Sequence, residues 1–104
     1  MHVAQAPGRR IPAVEHDPAG ERLVARSGGE VAELEYRRRG DRLSILRTGV
    51  PAPFERRGVG SELVRAAVEL AAAEGLTVVP CCTFVQWWLE GHPDVAASVT
   101  VDLP

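Results

Sequence analysis

The sequence contains no lysine; all 12 of its basic residues are arginines. Without lysine there is no Gly-Lys-Ser/Thr ending, and so no P-loop for a nucleoside triphosphate. An excess of one charge is missing too. The 14 acidic residues nearly balance the arginines, and the formal net charge of -2 gives no global pull toward nucleic acid or an anionic membrane. No apolar run approaches the roughly 18–20 residues that span a bilayer. The opening Met-His-Val-Ala-Gln-Ala-Pro-Gly-Arg-Arg lacks the apolar stretch of a secretory signal. Cysteine is limited to two adjacent residues, Cys81 and Cys82. Neighbouring cysteines bridge only with backbone strain, so reduced thiols and a cytoplasmic setting are expected. No metal-ligand set is assigned.

Of what is present, residues 50–64 carry the most information: Val-Pro-Ala-Pro-Phe-Glu-Arg-Arg-Gly-Val-Gly-Ser-Glu-Leu-Val. A strand-like segment enters an Arg-rich Gly-x-Gly turn that opens into an amphipathic helix. Glycines allow a tight turn and a close backbone approach to a ligand. The first turn of a helix offers unpaired N–H groups and the positive end of the macrodipole. Together they make a phosphate seat, with Arg56 and Arg57 adding charge. A dinucleotide fingerprint would need a third glycine where Leu63 stands and an acidic residue near position 80, where the chain reads Val-Pro-Cys-Cys. That cofactor class is excluded. The same glycines also fit a tight strand–helix turn with no ligand.

The 104 residues fit one domain. Residues 1–12 read as a disordered or loosely docked tail, and 13–104 as the folded domain. A first strand is expected over 13–16, a turn over 17–20, a strand over 22–26 and a hairpin turn over 27–30. Val31-Ala-Glu-Leu-Glu-Tyr36 alternates as a half-buried strand, which places Tyr36 in the core. The basic run from Arg37 to Arg42 reads as a solvated turn. A fourth strand follows over 43–50 and stops at Pro51 and Pro53. Val59, Leu63, Val64, Ala67, Val68, Leu70 and Ala71 form one helical stripe, with Gly75 as its C-terminal stop. Residues 76–79 read as a buried strand parallel to 43–50. A second helix is expected over 82–90, with Phe84, Val85, Trp88 and Leu89 available for the core. Gly91 stops it, and Pro93 opens a short final helix. Trp87 and Trp88 cannot both face inward on one helix, so one of them lies at the surface. The fold class is α/β in the α+β sense: antiparallel N-terminal strands followed by helix, strand and helix.

In this order the chain resembles the GNAT superfamily of acetyl-CoA-dependent N-acetyltransferases, and within it the minimal, single-domain YjdJ-type group. The resemblance covers about residues 14–99. It rests on Val14-Glu-His16, Arg22-Leu23, the Ala32-x-Leu34-x-Tyr36 strand, Thr48-Gly-Val-Pro51, Arg57-Gly-Val-Gly60, Val79-Pro-Cys-Cys-Thr-Phe-Val85 and His92-Pro93. The resemblance implies a GNAT-like mixed sheet and transfer of an acetyl group from acetyl-CoA to an amine. It implies that the strand bearing Thr48 and Val50 runs beside the pantetheine arm of coenzyme A. The pyrophosphate would rest on the turn formed by Arg56, Arg57, Gly58, Val59, Gly60 and Ser61. The strand over 76–80 would splay from 43–50, with the thioester in the opening and Cys82 facing it. The chain departs from the group at Glu55, where Gln or Arg is usual, at Arg56, often Gly, and at Arg47, often His. A carboxylate at Glu55 weakens cofactor binding unless it points outward, and the flanking arginines offset it. The chain is too short for the extra strands that build the amine-binding half of larger relatives, so the acceptor pocket is expected to be shallow or shared with a partner.

Amine acetylation needs a neutral amine, a polarised carbonyl and a proton for the leaving thiolate. Cys82, at a strand-to-helix junction, is the candidate nucleophile for a covalent route. The plainer reading is a small buried residue. His92 is the candidate acid or base, and its place before Pro93 equally suits a helix-entry cap. The partners expected are a small-molecule or protein amine, no nucleic acid and no membrane, with a homodimer as a candidate assembly. The alternatives are a non-catalytic acyl-CoA-binding protein and a GNAT-shaped interaction module.

Overall fold

A computed structural model describes residues 12–54 and 58–104. The tail expected over residues 1–12 lies outside the described residues apart from Pro12, as do Glu55, Arg56 and Arg57. Five strands form one sheet in the order β1 (Val14–Asp17), β2 (Arg22–Ser27), β3 (Glu30–Arg39), β4 (Arg42–Gly49) and β5 (Thr77–Pro80). The first four are antiparallel neighbours, while β5 runs parallel to β4. Helix α1 (Val59–Glu74) makes the crossover between them, and α2 (Thr83–Gly91) and α3 (Pro93–Ala96) follow. A short 3-10 turn, Ala52–Phe54, leads from β4 toward α1.

The apolar stripe of α1 meets the inward residues of the strands. Val59, Leu63, Val64, Ala67, Val68 and Ala71 are buried against Leu23, Ala25, Ala32, Leu34, Tyr36, Leu43 and Ile45. Leu70, expected in that stripe, is only partly buried and packs at the margin. Tyr36 is core, as its alternation requires, and its hydroxyl lies 2.6 Å from His16 Nε2.

Two local expectations need correction. The basic run is strand rather than turn through Arg39. Arg39 pairs with Arg42, and only Gly40 and Asp41 turn the chain. Gly40 makes this possible with a φ of 59°, a conformation that side chains disfavour. Gly91 is the last residue of α2 rather than the stop beyond it, and His92 is the C-cap. Gly75 does terminate α1, with a φ of 68° and its N–H donating to the Ala71 carbonyl.

One irregularity sets up the site. Along β3 and β4, Glu35 opposes Arg47 while the next residue, Tyr36, opposes Ile45. Leu46 is therefore the extra residue of a β-bulge on β4. Without it, alternation would send Ile45 and Arg47 to the same face and Thr48 to the other. With it, Arg47 sits on the helix-free face, where its Nε lies 2.6 Å from Glu35 Oε2. Thr48 returns to the helix-covered face opposite Leu34.

Candidate functional site

Pairing between β4 and β5 ends early. The register runs from Arg42 opposite Thr77 to Ile45 opposite Pro80, and the Cys81 N–H closes it on the Ile45 carbonyl. Residues 46–49 of β4 continue with no β5 partner, so among the described residues that edge of the strand is open. The bulge at Leu46 falls at the first unpaired position. Strand separation at the C-terminal end of a parallel pair is where open α/β sheets place ligands.

The N-terminus of α1 closes one side of the opening. Gly58 is its N-cap, with a φ of 75°, and supplies no side-chain cap. The first intrahelical bond runs from the Glu62 N–H to the Gly58 carbonyl. The N–H groups of Val59, Gly60 and Ser61 therefore precede the helical ladder and are free of it. Gly58 is the glycine that the backbone conformation demands. Gly60 has a different cause. A Cβ there would stand 3.1 Å from the Phe84 ring and 3.5 Å from Val50 Cγ2. The small residue lets α1 pack against α2 and against Val50, just past β4, a constraint that exists with or without a ligand.

Helix α2 forms the opposite wall. Thr48, Val50, Gly60, Ser61, Phe84 and Trp87 line a cleft of about 470 Å³. Phe84 and Trp87, one helical turn apart, place their rings 5.9 Å from each other at 37°. The cleft thus joins residues of all three elements: β4, the start of α1 and α2. Cys82, the N-cap of α2, is half-buried beside it, and its Sγ lies 3.9 Å from Thr48 Oγ1. Cys81 is exposed.

Behind the cleft, Trp88 ties α2 to α1. It is almost wholly buried, and its indole N–H donates to Ser61 Oγ at 2.9 Å. The His92 ring stacks on it at 3.8 Å and 9°, and the Arg65 guanidinium lies 5.4 Å from the ring centroid. His92 Nδ1 donates to the Trp88 carbonyl at 2.8 Å, since a carbonyl can only accept. That leaves Nε2 as the acceptor nitrogen in the neutral ring. The His92 backbone carbonyl also receives the N–H groups of Val95 and Ala96 at the start of α3.

The structure therefore brings Thr48, Val50, Gly60 and Ser61 into one cleft, with Gly58 and Val59 preceding them at the start of α1 and Cys82 beside Thr48. It does not bring His92 to the cleft lining, and Arg56 and Arg57 fall outside the described residues. Val59 contributes main chain only, because its side chain is core. Sequence reasoning missed Phe84 and Trp87 as cleft walls; Phe84, expected to be available for the core, is half-buried against it and lines the cleft as well. The available signal was their spacing of three residues on the helix that follows the splayed strand. Among the described residues no charged side chain is buried, and no group of His, Cys, Asp or Glu could hold a metal ion. No described helix is long and apolar enough to cross a membrane.

A mixed sheet whose last two strands are parallel and part beside a glycine-capped helix is a GNAT-like architecture. The chain belongs to the GCN5-related N-acetyltransferase family, whose model matches residues 22–99. Its fold is similar to the NMR solution structure of a "GCN5-like putative N-acetyltransferase" from Staphylococcus aureus. The TM-score is 0.68 at 22% identity, over 86% of this chain and 89% of that one. No curated protein matches the sequence significantly.

Proposed function

We propose that this domain is an acetyl-CoA-dependent N-acetyltransferase acting on an amine acceptor. The observation that carries the reading is the continuity of one cleft. It runs from the open edge of β4, past Thr48 and Val50, to the free N–H groups at the start of α1. An extended amide-bearing arm suits a strand edge that lacks a partner, and a pyrophosphate suits a helix N-terminus. Bound acetyl-CoA supplies the activated acetyl group. In this reading Gly58, Val59, Gly60 and Ser61 hold phosphate through main-chain N–H groups, and Arg56 and Arg57 add charge in sequence beside them. Thr48 and Val50 border the arm. The Ser61 hydroxyl, already accepting from Trp88, keeps its own proton to donate. Phe84 and Trp87 keep water from one side of the cleft. Cys82 is the thiol nearest the strand opening. His92 enters as a proton acceptor only through Nε2, because Nδ1 is committed to the Trp88 carbonyl.

Titration with coenzyme A, followed by acetyl-CoA turnover against a panel of amines, tests the proposal. Binding with turnover is expected. Binding without turnover of any amine points to the second reading, a non-catalytic acyl-CoA-binding protein. The absence of any carboxylate or imidazole from the described residues lining the cleft favours that second reading. Failure to bind coenzyme A overturns both.

A further inference from the structure

Trp87 is the most exposed aromatic side chain among the described residues, at 66% of its full surface. It is nevertheless a wall of the cleft. The core needs only its neighbour Trp88, which is buried and bonded to Ser61. Trp87 is not part of that core, and Phe84 and Val50, not Trp87, stand against Gly60. A large apolar ring held at a cleft mouth, tilted against a second aromatic, is a stacking platform for a flat ligand group. Its neighbours define which group. Ser61 and Gly60 lie in the same cleft at the helix N-terminus, where a phosphate would sit. Along α2, Trp87 is five residues beyond Cys82, or roughly 7–8 Å of helix rise from the strand opening. An aromatic ring near the phosphate seat and set away from the thiol end meets the base of a nucleotide rather than the acyl end of its arm.

We propose that Trp87 stacks on the purine of the nucleotide half of the acyl carrier, and that the protein thereby prefers a nucleotide-bearing carrier to a free phosphopantetheine. This rests on the coenzyme A reading above. The occupant is a purine; the alternatives, an apolar segment of the acceptor or a second protein surface, give different outcomes.

The test uses the full chain, with coenzyme A and 4′-phosphopantetheine as probes and calorimetry as the readout. Wild type should bind coenzyme A more tightly than phosphopantetheine. Trp87→Ala should weaken coenzyme A by about tenfold, a typical size for one base–aromatic stack, and leave phosphopantetheine unchanged. Trp87→Phe should keep most of the affinity. Coenzyme A should also quench tryptophan fluorescence in wild type but less in Trp87→Ala. An equal loss for both probes would place Trp87 on the pantetheine arm and overturn the proposal. No loss for either probe would overturn it as well, and point to an acceptor or partner contact. Neither outcome touches the coenzyme A reading, which fails only if wild type does not bind coenzyme A.

Discussion

At the scale of single residues, two adjacent cysteines differ because a strand and a helix meet between them. The Cys81 N–H ends the β5 ladder and its side chain is exposed, while Cys82 caps α2 and sits beside Thr48. Coenzyme A is expected to slow alkylation of Cys82 and leave Cys81 as reactive as before, read by peptide mapping after iodoacetamide treatment. Protection of Cys81 alone would mean that the carrier lies elsewhere. Incubation with acetyl-CoA and no amine then separates a nucleophile from a bystander, since only the nucleophile gains the mass of an acetyl group. Trp88 makes a second residue-scale case. Trp88→Phe keeps an apolar ring but removes the donor to Ser61 and leaves a small void. A loss of roughly 1–3 kcal/mol in urea unfolding is expected from the hydrogen bond and the cavity combined. The stack with His92 indicates what His92→Ala should do: loosen the α2–α3 junction and lower stability, with the pH profile of acetyl transfer retained. A lost acidic limb in that profile would return His92 to the reaction as its proton acceptor.

At the scale of elements, glycines at the two ends of α1 are required for the same reason and are separable by experiment. Gly75, with a φ of 68°, leaves open space within 4 Å of where a methyl group would stand, so Gly75→Ala tests conformation alone. It should cost about 1 kcal/mol, the penalty of the left-handed region for a residue with a Cβ. Gly58→Ala carries the same conformational cost and, in addition, should weaken coenzyme A, because the N-cap geometry aims the N–H groups of the first turn. Stability loss without any loss of affinity in Gly58→Ala would detach the turn from binding. Gly60 is a poor probe by comparison: a larger side chain there strikes Phe84 before it reaches any ligand. Strand β5 shows how an element's edge is managed. Val78 donates to the Thr100 carbonyl and accepts from the Asp102 N–H, so Val101 covers part of the strand's outer side.

At the scale of the whole molecule, the sheet's helix-free face is stitched by surface ion pairs, among them Arg22 with Glu33, Arg26 with Glu15 and Arg47 with Glu35. Two carboxylates near the β1–β2 turn are held below their ordinary range. Hydrogen bonding from the Arg22 side chain, then from the Gly20 N–H, does this for Asp17. The Arg39 side chain and the Arg38 N–H do it for Glu21. A depressed folded pKa means that the stabilisation is fully present above the unfolded value, about 4 for a carboxylate. It is lost as pH falls through the lower folded values. The urea midpoint should therefore decline on acidification below about pH 4, and decline less steeply in an Asp17→Asn, Glu21→Gln double variant. Both groups are solvent-exposed, so added salt should shrink the difference. Equal acid sensitivity in wild type and double variant would remove these pairs from the pH dependence.

Local pattern alone determined the element order, the inward stripe of α1, the glycine that ends it, the core position of Tyr36 and the parallel strand after the helix. Those follow from periodicity and from backbone freedom, which act over a few residues. The glycine-opened turn and the Cys82 junction were also legible, since both are local arrangements of main chain. Tertiary structure decided the rest. The spacing of Val85, Trp88 and Leu89 already turns Trp88 inward, but its partners there, the Ser61 hydroxyl and the His92 ring, lie outside the α2 pattern. That Gly60 answers to Phe84 depends on two helices meeting. The phase of β4 changes at Leu46 because β3 and β4 pair with one residue of mismatch, and no alternation in β4 by itself encodes that slip. The cleft exists because β5 stops pairing at Pro80 while β4 continues, and a cavity between three elements is a property of their packing rather than of any one of them.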